Sequence, residues 1–533
     1  MARSAATRHK QLALAAAIIG SGVGMLDSSI VNIALPTIQR DLGGGLAAQQ
    51  WVVNAYLLTL GSLILVGGSL EDVFGARRVF SLGVGGFGTI SVLCGLAPSI
   101  AALVAFRALQ GVAGALLVPS SLALIVAVFP EPERGRAVGT WTAFTTVAIV
   151  IAPLLGGGLL AVGSWRLIFF VNVPLVVLCI ALIRAAVAPN DVEQLPRRRI
   201  DIPGALACVL GLGGVVFALI EQPRLGWSSA GVIVPLVAGV ASLAAFVQLE
   251  RRGRDPMLPS ALFARPNFSA ANVETLVVYA GLSVLVFFLT LYLQQVAGYA
   301  PIASGLALLP VTFLMFFGSR AVGALSAKYG ARFFMSVGPL TGAVGLVLLL
   351  RVGASASYLT DVLPAIVAFG VGLTLTVAPL TATVLDSVSP SEAGIASAVN
   401  NAVARVAGLV ATAAAGSVLA ARFAGSLHAR LHGVALNAPA RKAVIAAEQL
   451  TLGRPPLHGL SAPIARAISH AATLASVATF HFAMLIAACL LALGGVVGAA
   501  AIRSPGASRS ARRDRGSEAV EQRIGMHEVH PDG

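Results

Sequence analysis

Long apolar runs separated by short polar stretches make up nearly the whole of this chain, and few runs show the alternation of a half-buried strand or the one-sided stripe of a surface helix. Each run is about 20 residues or more, the length needed to cross a hydrocarbon core about 30 Å thick. They fall at 12–35, 50–69, 79–98, 101–127, 137–160, 167–187, 202–221, 230–249, 268–294, 301–322, 333–351, 359–385, 396–420 and 475–502. The pattern predicts fourteen membrane-spanning helices and leaves too little chain between them for a sizeable soluble domain.

Composition agrees: 57% of the 533 residues are hydrophobic and only 11% are charged, against roughly 25% charged in an ordinary soluble domain. The fold class expected is all-α integral membrane. The net charge of +14, with RSARRDR near the C-terminus, could suggest nucleic acid. Its better explanation is topological, because cytoplasmic loops collect Arg and Lys. With both termini cytoplasmic, the short external connections carry only Arg40, Arg166, Arg224 and Arg351. The basic start MARSAATRHK followed by an apolar run reads as an uncleaved first span, since no secreted domain follows.

An internal repeat divides the chain. GSLEDVFGARRVFSLG at 68–83 aligns without gaps on GALSAKYGARFFMSVG at 323–338, with seven of sixteen positions identical. The copies follow spans 2 and 10, so two spans have been added between two six-span halves. Spans 7 and 8 are the natural additions. The expected organisation is an N-terminal bundle at 1–200, two linking spans at 201–250, a C-terminal bundle at 251–503 with a long external loop at about 423–474, and a disordered cytoplasmic tail at 504–533. Six-span halves about a central cavity are the architecture of major facilitator transporters.

Polar groups inside the spans supply the candidate chemistry. Span 1 carries Asp27, and at about 100° per residue Asp27, Ser28 and Asn32 share an arc that can face a polar cavity. In span 4, Arg107, Gln110, Gly111 and Gly114 form one stripe. In span 13, Asn401, Arg405, Gly408 and Thr412 form another, mirroring it in the opposite half. Glu274, about two turns into span 9, can face the cavity or reach back to the interface. The four cysteines lie in apolar runs without metal-ligand spacing, and HEVH in the tail lacks the spacing of a zinc helix. None of the three lysines, Lys10, Lys328 and Lys442, follows a glycine, so there is no P-loop lysine. No metal or organic cofactor is expected; a proton gradient is the simpler energy source.

With these stretches placed, the chain resembles the fourteen-spanning drug:proton antiporter branch of the major facilitator superfamily over all its spans. LDSSIVNIALP at 26–36 is similar to that branch's first-helix signature, and GSLEDVFGARR to the superfamily's loop motif through Gly68, Asp72, Gly75, Arg77 and Arg78. Glu71 and Val73 depart from the usual small and basic residues. AIVIAPLLGGG in span 5 resembles the antiporter motif through Gly139, Pro153, Gly156 and Gly157, with Ala148 and Ala152 where that motif usually has glycine. FRALQGVAGALLVP, WRLIFFVNVP and the stretch 391–416 are also similar.

The resemblance implies a multi-pass transporter of the bacterial cell membrane that exports lipophilic or cationic drugs and antibiotics in exchange for protons by alternating access. It casts Asp27 and Arg107 in proton coupling, with Asn32, Gln110, Glu274, Asn401 and Arg405 as further cavity candidates. Its partners would be a small-molecule substrate, protons and the lipid bilayer, and no nucleic acid; oligomeric state, a monomer included, and a periplasmic adaptor are left open. A dedicated exporter of one metabolite is the alternative within transport. A polytopic membrane enzyme is disfavoured, because no nucleophile, base or metal constellation is present.

Overall fold

A computed structural model describes residues 2–186, 201–253, 258–389, 392–453 and 455–503. Fourteen long helices account for most of them: α1 (Ala2–Leu42), α2 (Leu46–Phe74), α3 (Ala76–Gly95), α4 (Ile100–Val128), α5 (Glu131–Val162), α6 (Asn172–Ala186), α7 (Ile202–Leu225), α8 (Ala230–Arg252), α9 (Pro266–Gln295), α10 (Leu309–Tyr329), α11 (Ala331–Leu348), α12 (Leu363–Asp386), α13 (Ala393–Leu431) and α14 (Ala462–Ala501). Thirteen helical segments among the described residues are long and apolar enough to cross a membrane. The remaining long helix, α5, has several side chains outside the description and packs along α1.

Capping residues mark where helices begin. Ser99, Asp201 and Ser229 accept backbone N–H groups at the starts of α4, α7 and α8, satisfying donors that have no intrahelical partner. Two one-residue turns match each other closely. Gly75 between α2 and α3 has φ 84 and ψ 139, and Gly330 between α10 and α11 has φ 89 and ψ 141. Each donates its N–H to the carbonyl four residues back, Glu71 and Ser326, at 2.8 Å. A positive φ with extended ψ is open to glycine and strained for other residues. Both turns fall at the same place in the two sixteen-residue copies.

Helices α1–α6 form one bundle and α9–α14 the other. Phe80, Phe87, Cys179 and Ile183 fill the first, while α9, most of its residues buried, runs through the second against α13 and α14. The added pair α7–α8 joins through glycines: a Cβ on Gly214 would stand 2.4 Å from the Pro235 carbonyl. This pair lies over the seam, with Leu212, Val216 and Ile220 packed on Leu409 and Ala413 of α13. Trp51 Nε1 donates to Glu221 Oε1 at 3.0 Å, and Ser417 Oγ to Gln222 Oε1 at 2.6 Å.

The long connection after span 13 departs from expectation. The stretch 423–474 is mostly helix rather than loop: α13 continues to Leu431, α14 begins at Ala462, and Ala438–Leu450 forms a helix between them. Phe423, Leu427, Leu431, Val444 and Ile468 bury one another there and build a small core of their own. The proposed tail at 504–533 and residues 187–200 lie outside the described residues.

Candidate functional site

The halves are held together at the end of the bundle where α1 finishes and α2 begins. Gln294 Nε2 on α9 donates to the Ile33 carbonyl at 3.0 Å, and Gln50 Nε2 on α2 donates to the Thr412 carbonyl of α13 at 2.5 Å. Thr412 Oγ1 in turn donates to Asn54 Oδ1 at 3.0 Å. A small residue allows this approach: a Cβ on Gly157 of α5 would stand 2.3 Å from the Ile302 Cα, while one on Gly156 would stand 2.4 Å from Ile30 Cγ1 of α1 within the same half. Closer to mid-depth, Gly61 faces Arg405, whose Nη2 lies 3.9 Å from Met25 Sδ.

Inside the first bundle lies a sealed polar cluster. Asp27 and Gln110 are fully buried and Arg107 is 1% exposed. Arg107 Nη1 donates to Asp27 Oδ2 at 2.5 Å and to Gln110 Oε1 at 2.7 Å, while its Nε donates to the Val52 carbonyl at 3.1 Å. Asp27 Oδ1 accepts from Gln110 Nε2 at 3.2 Å and from Asn172 Nδ2 at 3.1 Å. Ser91 Oγ accepts from both amides, at 2.8 and 3.0 Å. Above the guanidinium, Tyr56 presents its ring at 4.3 Å from Arg107 Cζ. Five helices, α1, α2, α3, α4 and α6, therefore converge on one carboxylate. A charge pair so deep in apolar surroundings is costly, and here both oxygens of the carboxylate are held by hydrogen bonds beside the guanidinium.

The sequence candidates divide accordingly. Asp27, Arg107 and Gln110 meet in this cluster. Asn32 does not: its Nδ2 turns back to the Ser28 carbonyl at 3.0 Å, so the arc shared with Asp27 points to two environments, and Asp27 faces the bundle interior rather than an open cavity. Glu274 neither lines a cavity nor reaches the interface. It is fully buried in the second bundle, and neither carboxylate oxygen has a hydrogen-bond partner. Asn401 is exposed and donates to the Ser397 carbonyl of its own helix, while Arg405 is half-buried at the seam.

In the loop motif, Gly75 makes the turn, Arg77 is half-buried, Arg78 is exposed, and a Cβ on Gly68 would meet nothing. The side chains of Asp72 and Pro153 lie outside the description. Of the antiporter-motif glycines, Gly156 and Gly157 make close helix contacts and Gly139 makes none within 4 Å. Sequence reasoning passed over Tyr56, Ser91 and Asn172. Asn172 was the most accessible of these, a polar residue in the apolar stretch WRLIFFVNVP.

Two pseudo-repeated helical bundles closing on a seam, with an ion pair sealed beside it, define the class: a polytopic membrane transporter rather than an enzyme. A sequence model of the Major Facilitator Superfamily matches residues 17–412, and the chain belongs to that superfamily. It is 35% identical over 446 residues to the multidrug resistance protein Stp of Mycobacterium tuberculosis (strain CDC 1551 / Oshkosh), covering 83% of this chain and 82% of that one. It is 39% identical over 393 residues to the puromycin resistance protein pur8 of Streptomyces alboniger, covering 73% and 78%. Among solved structures, the fold is shared with a bacterial homolog to the human lysosomal transporter Spinster in an inward-facing, unoccupied conformation, at 17% identity and a TM-score of 0.62, covering 93% of this chain and 99% of that one.

Proposed function

We propose that this protein exports lipophilic, drug-like molecules across the bacterial cell membrane in exchange for protons, by rocking its two halves about the seam. The observation that carries the reading is the buried Asp27–Arg107 pair, set on α1 and α4, of which α1 also meets the opposite half through Ile33. A carboxylate at that depth is costly unless paired or protonated. Rearrangement of α1 or α2 during rocking would break the cluster and hand Asp27 a proton in place of Arg107. One proton moving down 100 mV supplies about 2.3 kcal/mol.

The names of the relatives support export: besides the two resistance proteins, the chain is 35% identical over 402 residues to the cephamycin export protein CmcT of Amycolatopsis lactamdurans. The spread of Arg and Lys supports cytoplasmic termini, and the contacts at Gln50, Gly157 and Gln294 then correspond to an outer gate that is shut. Efflux from proteoliposomes with an imposed pH gradient, run over a chemically varied panel, tests the reading. Gradient-dependent export of several members is expected. Export of one member alone would favour the dedicated-exporter alternative, and gradient-independent movement would overturn proton exchange.

A further inference from the structure

Resting on the export reading above, we propose that the added pair α7–α8 is a clasp for the outer gate, in which consecutive residues near the end of α7, Glu221 and Gln222, grip one half each. Trp51 Nε1 of α2 donates to Glu221 Oε1 at 3.0 Å, and Ser417 Oγ of α13 donates to Gln222 Oε1 at 2.6 Å. The sequence neighbours of these two donors join the halves directly. Gln50 Nε2 donates to the Thr412 carbonyl, and Gly416 leaves no room for a Cβ against the Gln50 amide. Glu221 also accepts from Arg224 Nε at 3.0 Å, so it is not orphaned if the Trp51 bond is lost.

The length of α7 lies along both halves. Positions 213, 217 and 221 recur every fourth residue and so share a face: Phe217 packs on the Trp51 ring with centroids 5.8 Å apart, and a Cβ on Gly213 would stand 3.5 Å from Leu58 Cδ2. Leu212, Val216 and Ile220 form the neighbouring face and join Leu409 and Ala413 of α13 in one buried cluster. Leu58, Leu409 and Ala413 stand near the middle of their spans, where a rocking motion separates the halves least. The two polar grips stand toward the end, where it separates them more. A helix joined to both halves cannot follow both when they part. With the gate shut, α7 keeps both bonds; with it open, α7 stays with one half and keeps one. One hydrogen bond therefore favours the shut state, and removing either grip forfeits it, since opening then costs α7 nothing. The signature is a pair of substitutions, on two different helices, whose effects do not add.

The separation of the halves at this end can be read by pulsed electron resonance on the full chain in detergent, spin-labelled at Arg40→Cys and Ser355→Cys in a background without the four native cysteines. Both positions are exposed, one on α1 and the other between α11 and α12. The parent should show mainly the shorter distance. Trp51→Phe, which keeps the ring and loses the N–H, should raise the ratio of long to short distances about fivefold, the scale of one hydrogen bond. Ser417→Ala should raise it by the same factor, and the double variant should match each single one. The short distance itself should stay in place, because both substitutions leave the apolar packing of α7 intact. A ratio unchanged in either single variant, or a double variant whose effect is the product of the two, would overturn the proposal. No substrate or pH gradient enters the measurement, so a failure of proton exchange leaves its outcome untouched.

Discussion

Arg107 Nη1 stands 2.5 Å from Asp27 Oδ2, with both side chains almost wholly shielded from solvent. Breaking such a pair from one side leaves an uncompensated charge, a loss of about 3–5 kcal/mol. Arg107→Leu is therefore expected to lower Tm markedly. Adding Asp27→Asn to it should recover part of the loss, because the double variant buries no charge. Thermal unfolding of wild type and the two variants in detergent checks this; a double variant less stable than Arg107→Leu alone would contradict it.

The end of the bundle where α1 finishes closes on Gly157, where no Cβ fits against Ile302. Gly157→Val should wedge α5 away from the second half and shift the population toward an outward-open state. A cysteine placed at position 33, on α1 beside this gate, should then react faster with a membrane-impermeant thiol reagent than in the parent protein. An unchanged rate would mean that this contact does not gate access.

Gly75 and Gly330 share a conformation that side chains resist, so Gly75→Ala and Gly330→Ala should each cost about 1–3 kcal/mol. The two losses should be similar, since the turns are alike. A loss at only one of them, read from Tm, would show that the matching geometry is not matched in energy.

At the start of α13, Ser389 donates its hydroxyl (2.6 Å) and backbone N–H (3.1 Å) to Glu392, whose two oxygens also receive Arg265 Nη2 at 2.9 and 3.1 Å. The Ser389 bonds first, and Arg265 after them, pull the carboxyl from its ordinary 4.5 down to about 2. A depressed folded-state pKa contributes stability above the unfolded value and loses it as pH falls through the folded one. The Tm advantage of wild type over Glu392→Gln should be constant above about pH 4.5 and shrink steadily toward about pH 2. A gap that widens on acidification would contradict the assignment.

Hydropathy made the helices legible, because each span must satisfy its own backbone in lipid and so announces itself as an apolar run. The stripe of Arg107 and Gln110 was legible too, since spacing along one helix fixes a shared face. Which neighbour that face meets is not written in one helix's periodicity. Asn32 was accordingly grouped with Asp27, although the two point apart, and Tyr56 and Asn172 were overlooked although they complete the cluster around Asp27. Glu274 shows the same limit: its depth in span 9 followed from counting residues, but not its burial among helices of the second bundle. The helical connection after span 13 was missed because Phe423, Leu431 and Ile468 bury one another across some forty residues of sequence, a contact that short-range pattern does not carry.

If Asp27 carries the exchanged proton, wild type and Asp27→Asn should differ in one respect when compared in the same vesicles, loaded with a transported substrate. Substrate counterflow without a gradient should persist in Asp27→Asn, because the halves can still rock, while pH-driven accumulation should fall to background. Asp27→Asn vesicles that accumulate substrate against its gradient as well as wild type, at the same imposed pH difference, would contradict the claim.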